Sequence, residues 1–140
     1  MIRPYKAGDI DLVLDIWYTS TKVAHPFMEE SFLAKERKNV RDIYIPNTKT
    51  WVWLEDDDVQ AFISMMGNEV GAIFVRPALH GKGIGRKLMD HVRQFHESLE
   101  VEVFEDNEIG RRFYDRYGFS QIKRYIHEET GKAVLRLSIK

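Results

Sequence analysis

The chain has 140 residues, 44% of them apolar and 31% charged, with 21 basic against 22 acidic side chains and a formal net charge of −1. That size and balance lead to one soluble domain spanning residues 1–140, and they speak against a nucleic-acid partner, which needs a basic excess. The absence of cysteine removes disulfides, thiolate metal sites and a cysteine nucleophile, and no apolar run approaches the ~20 residues that span a bilayer.

Met1-Ile2-Arg3-Pro4-Tyr5 lacks the apolar stretch of a signal peptide, so a cytoplasmic protein without a membrane partner is expected. Residues 1–5 read as a short strand closed by Pro4. Asp9 resembles an N-cap, and Ile10, Val13, Leu14 and Trp17 follow at i, i+3, i+4, i+7, which predicts an amphipathic helix ending before His25-Pro26. A second helical pattern covers roughly 29–45, with Phe32, Leu33, Val40, Ile43 and Tyr44, and stops at Pro46. Trp51-Val52-Trp53-Leu54, Ala61 to Met66 and Val70 to Val75 are rich in branched and aromatic residues. With turns at Asp56-Asp57-Asp58 and Gly67-Asn68 they predict an antiparallel meander.

The period then changes. Ile84, Leu88, Val92 and Phe95 mark a helix over about 83–97, and Leu99 to Phe104 a strand with Val101 and Val103 on one face and Glu102 on the other. Ile109, Phe113 and Tyr117 mark a helix ended by Gly118 at a C′ position, before two strands at Phe119 to Ile126 and Ala133 to Ile139. The order is β-α-α-β-β-β-α-β-α-β-β, a mixed α/β sheet with helices on its faces. His91 and His96 fall ~140° apart on their helix at ~100° per residue, so no shared metal-ligand face is expected.

His80-Gly81-Lys82-Gly83-Ile84-Gly85-Arg86 joins a strand to a helix with three glycines in five residues. Without Cβ atoms the backbone can approach a ligand closely, and a helix N-terminus offers free N–H groups to a phosphate. Lys82 and Arg86 add positive charge. Mere reversal of the chain is the plain alternative. A P-loop fails because Lys82 is followed by Gly83 rather than Ser or Thr. The dinucleotide pattern G-x-G-x-x-G fails because Gly83-x-Gly85 leads to Leu88.

The turn resembles the acetyl-CoA pattern Arg/Gln-x-x-Gly-x-Gly/Ala of the GNAT superfamily of N-acetyltransferases, with His80 where Arg or Gln is usual. Asn107-Glu108-Ile109-Gly110-Arg111-Arg112-Phe113-Tyr114-Asp115-Arg116-Tyr117-Gly118-Phe119 is similar to that family's Asn-x-x-Ala-x-x-Phe-Tyr-x-x-x-Gly-Phe, with Gly110 in place of Ala. Trp51-Val52-Trp53 and His25-Pro26-Phe27 resemble segments of small bacterial members that include protein-lysine acetyltransferases. The resemblance implies a GNAT-like, mostly antiparallel sheet and acetyl-CoA as co-substrate without a metal. It also implies backbone bonds to pantetheine from Ile73, Phe74 and Val75, a pyrophosphate cradle of N–H groups from Gly81, Lys82, Gly83, Ile84, Gly85 and Arg86, and a cofactor contact from Asn107. Dimers are frequent in such proteins, so a monomer or homodimer is expected.

Acetyl transfer to an amine needs a neutral amine, donors for the oxyanion and a proton for the departing thiolate. Tyr114 matches the family's Tyr, and a phenol with a reference pKa near ~10 is protonated at neutral pH and can donate; a half-buried aromatic is the alternative. Glu102 points away from its flanking valines, and family members with an acid there use it as a base, often through water. The alternative is an exposed strand carboxylate paired with Arg or Lys. His25 and Phe27 lie in the loop that borders the acceptor in this superfamily. The resulting expectation is direct transfer from acetyl-CoA to a primary amine, such as a protein lysine or N-terminus. A small amine (polyamine, amino acid, antibiotic) and a non-catalytic acyl-CoA sensor are the rivals.

Overall fold

A computed structural model describes residues 1–140. Its elements are β1 (Ile2–Pro4), α1 (Ile10–Ala24), α2 (Glu30–Asn39), β2 (Lys49–Glu55), β3 (Asp58–Met66), β4 (Glu69–Val75), α3 (Ile84–Arg93), β5 (Leu99–Phe104), α4 (Glu108–Tyr117), β6 (Ser120–Ile126) and β7 (Ala133–Ile139). The strands form one seven-stranded sheet in the order β1-β2-β3-β4-β5-β7-β6, antiparallel except between β4 and β5. The expected element order and mixed sheet are both present.

Local chemistry accounts for most boundaries. Asp56 and Asp57 turn β2 into β3 with φ of 50° and 67°, the paired left-handed geometry that matches strand twist and that Asp tolerates. Gly118 closes α4 at φ 117°. Asp9 does not cap α1. Its carboxylate turns back to accept the Lys6 N–H at 2.9 Å and pairs with Arg3 at 2.8 Å, closing a 3-10 turn ahead of the helix. The second helical segment is also divided: α2 stops at Asn39 and a π-helical turn runs over Val40–Tyr44. The Ile45 N–H bonds to the Val40 carbonyl at 2.9 Å, so two residues five apart both face the core, which α-helical spacing does not allow. The third helix ends at Arg93, and Phe95 lies beyond it, 58% exposed.

The sheet divides two cores. On one face α3 and α4 bring Leu88, Met89, Val92 and Tyr114 against Ile63, Val101 and Leu135. On the other, α1 and α2 bring Val13, Leu14, Trp17 and Leu33 against Val52 and Phe62. Strands β4 and β5 pair only at Glu69–Glu100 and Val70–Val101, then separate. Beside that point the β3–β4 register shifts between Ser64 and Met65, and a bulge of this kind bends a strand. The gap from Gly71 onward leaves backbone edges on both strands unpaired with each other.

Leu88 anchors α3, and with it the glycine-rich turn, with none of its surface exposed. Leu88→Ala is expected to lower unfolding stability by about 3 kcal/mol in a denaturant titration, the transfer and cavity cost of a fully buried leucine.

Candidate active site

The glycine-rich turn follows β4 through a 3-10 turn at Pro77–Leu79 and enters α3. Gly81 and Gly83 have φ of +80° and +81°, and a Cβ built on either meets nothing within 4 Å. The glycines are therefore demanded by backbone conformation, and the space before them is open. At the helix start the first bond is from the Lys87 N–H to the Gly83 carbonyl at 3.1 Å. The N–H groups of Ile84, Gly85 and Arg86 open the helix without intrahelical acceptors. Gly85 serves packing instead, since a Cβ there would stand 3.1 Å from the Phe113 ring. Ile84 is buried and Lys82 exposed. The Arg86 guanidinium turns away from the cradle, 5.1 Å from the centre of the Tyr117 ring on α4. An anion there meets backbone donors and Lys82, the chemistry a pyrophosphate fits.

His80, the departure from the usual Arg or Gln, has a defined place. Its Nε2 lies 2.9 Å from the Val75 carbonyl, which also accepts the Ser20 hydroxyl at 3.2 Å. The end of β4 is thus tied both to the turn and to α1. Ile73 and Phe74 precede it on the strand edge beside the gap.

Across the gap, Asn107 caps α4 by accepting the Gly110 N–H at 2.9 Å. A Cβ at Gly110 would lie 2.6 Å from the Asn107 amide nitrogen, so glycine replaces the family's usual Ala where the cap side chain folds over the helix. Tyr114 is buried against Phe113 and Phe119, at ring separations of 5.4 and 5.5 Å. Burial is the sole cause that pushes its phenol well above the ordinary range.

The opposite face of β5 carries charge. Glu102 accepts the Tyr125 hydroxyl at 2.9 Å and pairs with Arg136 at 3.3 Å. Arg136 also bonds Glu100 at 2.6 Å and stands 3.6 Å from Glu69, and the carboxylates, Glu100 foremost, push its guanidinium pKa up. Three carboxylates therefore share one cation. Further along this face His25 packs on Phe27 and Phe104 at 5.5 and 5.0 Å, and Lys132 lies 4.9 Å from the centre of the Phe27 ring. Lys35 of α2 meets Glu129 of the β6–β7 turn at 3.5 Å. Beneath α1 and the π-helical turn, a cavity of about 460 Å³ is lined by Trp17, Tyr44, Phe62 and Phe74, with Glu36 and Glu69 as its carboxylates.

The predicted residues divide between the two faces of the sheet: the turn and Tyr114 lie on the α3/α4 side, Glu102, His25 and Phe27 on the other. Sequence reasoning missed Arg136, Tyr125, Glu69 and Ser20. Arg136 meets Glu102 only because β7 is inserted between β5 and β6, an order that linear spacing does not announce. Ser20 carried a faint signal, a hydroxyl on the buried stripe of α1.

Known proteins resemble this chain in both sequence and fold. Residues 46–121 match the acetyltransferase (GNAT) domain. The chain is 35% identical over 131 residues to the peptidyl-lysine N-acetyltransferase YiaC of Escherichia coli strain K12, covering 93% of this chain and 90% of that one. The solution structure of apo-form YjaB from Escherichia coli superposes with a TM-score of 0.88 at 26% identity, over 99% of this chain and 95% of that one. The PaiA N-acetyltransferase of Thermoplasma acidophilum, solved in complex with coenzyme A, shares the fold with a TM-score of 0.82 at 15% identity, over 97% and 96% of the two chains. The chain belongs to the GNAT family and is an acetyl-CoA-dependent N-acetyltransferase that acts on an amine.

Proposed function

We propose that the acceptor is a lysine side chain on a protein, entering from the α1/α2 side of the parted strands. The observation that carries this reading is the face around Glu102, where Glu69, Glu100 and Glu102 surround Arg136 alone. Such a face attracts an ammonium group. The neighbouring aromatic cavity suits the apolar part of a peptide. The name of the relative YiaC, a peptidyl-lysine N-acetyltransferase, supports the same class.

In this reading acetyl-CoA supplies the thioester and this chain positions both ends of the transfer. The N–H groups of Gly81 to Arg86 hold the pyrophosphate, and the edge at Ile73, Phe74 and Val75 holds the pantetheine arm, with Asn107 beside it. Glu102, held by Tyr125 and Arg136, draws in the ammonium and takes its proton, directly or through water. His25 and Phe27 line the approach. Tyr114 stays protonated because burial raises its phenol. Since an ordinary thiol has a pKa of about 8.5, Tyr114 acts first as a hydrogen-bond donor to the departing sulfur. The thiolate takes its proton from solvent as coenzyme A leaves, so the sulfur departs as a thiol and the phenol remains protonated.

Three measurements test this. Thiol release with lysine peptides, polyamines and aminoglycosides is expected to give the highest kcat/KM with a lysine peptide; turnover of a small amine with none of the peptides contradicts the assignment. Tyr114→Phe is expected to lower kcat by about 100-fold and leave the acetyl-CoA KM unchanged; an unaltered kcat removes the role. Gly83→Ala, forced to hold φ +81°, is expected to lose about 1–2 kcal/mol of stability and raise the acetyl-CoA KM, whereas an unchanged KM places the pyrophosphate elsewhere.

A further inference from the structure

Three large apolar side chains stand in solvent around one opening. Ile43 is 50% exposed, Tyr44 44% and Met66 52%, and all three line the cavity beneath α1. Single exposed apolar residues are ordinary, but several on one rim mark a surface that another molecule covers. The π-helical turn creates this rim. Val40 and Ile45 both face the core, so Ile43, which α-helical i, i+3 spacing would bury with Val40, is turned outward. Turns of this kind are frequent at functional sites. Met66 reaches the cavity from the end of β3, just past the register shift at Ser64 and Met65.

Behind the rim the lining is apolar. Phe62 and Phe74 lie there at a ring separation of 5.6 Å, with Trp17 beside them. The volume of about 460 Å³ falls within the ~300–1,000 Å³ of ligand sites. The cavity is continuous with the charged face: its wall includes Gly71 and Ala72 of β4, where β4 and β5 have parted, and also Glu69. Glu69 stands 3.6 Å from Arg136, the partner of Glu102. It lies opposite Glu100, and Glu102 follows two residues, or ~6.6 Å, further along β5. One or two residues of an extended peptide cover that span.

The charge of the wall is negative. Arg136 answers Glu69 and Lys35 answers Glu129, while Glu36 accepts only from the Asn39 amide, at 3.3 Å. Burial, then the carboxylates of Glu36 and Glu129, push the Tyr44 phenol up.

We propose that the cavity under the π-helical turn is a specificity pocket. It receives an aromatic or long aliphatic side chain one or two places from the acceptor lysine and repels an acidic one. This pocket serves the peptide acceptor proposed above and rests on that reading.

The test compares thiol release by the full chain with lysine peptides that carry Phe, Leu, Gly or Asp at each of the two places on either side of the lysine. At one of those places Phe and Leu are expected to raise kcat/KM about 10-fold over Gly, and Asp to lower it. Ile43→Gln and Met66→Gln are each expected to cut the Phe-to-Gly ratio about threefold or more. Ile122→Gln, exposed on β6 and outside the cavity, is expected to keep it. A ratio taken within one variant cancels any general loss of activity. Equal kcat/KM for Phe, Leu and Gly at all four places, or a preference that both cavity variants leave intact, overturns the pocket while the lysine assignment stands. Turnover of none of the lysine peptides overturns both.

Discussion

The parting of β4 from β5 after two residue pairs is the constraint on which the rest depends. A parallel pair that continued would fill its own hydrogen bonds and seal the sheet between its two helical layers. Here Gly71–Val75 and Glu102–Phe104 run on without each other, so the sheet has an opening flanked by backbone donors and acceptors. Unpaired backbone groups are costly when buried, and the structure meets part of that demand locally. The Val75 carbonyl is taken by Ser20 and His80. Those two bonds hold the opening's lip to α1 on one side and to the glycine-rich turn on the other.

That arrangement sets charge and dryness differently on the two faces. The α3/α4 side presents helix-start N–H groups and an apolar aromatic cluster around Tyr114, suited to an anionic cofactor and a soft sulfur. The α1/α2 side presents carboxylates around Arg136, suited to a cation. In the proposed reaction an acyl donor and an amine approach from opposite faces and meet through the gap. His80 gains its meaning in this frame: it braces β4, and the cradle consists of backbone.

Much of this was legible in the sequence because it is contiguous there. Period-2 and period-3.6 patterns change at Gly83 and again at Leu99, and the turn and the Asn107–Phe119 segment each bring their residues together within one strand-to-helix passage. The failures are equally physical. Asp9 looked like a cap because its position suited one, but Arg3 and the Lys6 N–H compete for the same carboxylate. The π-helical turn at Val40–Tyr44 lies inside a pattern that α-periodicity covers almost as well. The partners of Glu102 come from β6 and β7, placed by a strand order that leaves no periodic trace.

Backbone amide NMR signals, followed while coenzyme A is added, report directly whether the opening and its glycine-rich turn receive acetyl-CoA. The largest shifts are expected on Gly81 to Arg86 and on Ile73 to Val75, with Tyr114 affected and the β1–β2 edge silent. Shifts concentrated away from the turn and the β4 edge, for example in the groove lined by Arg111, Asp115 and Gln121 on the far side of α4, would contradict it.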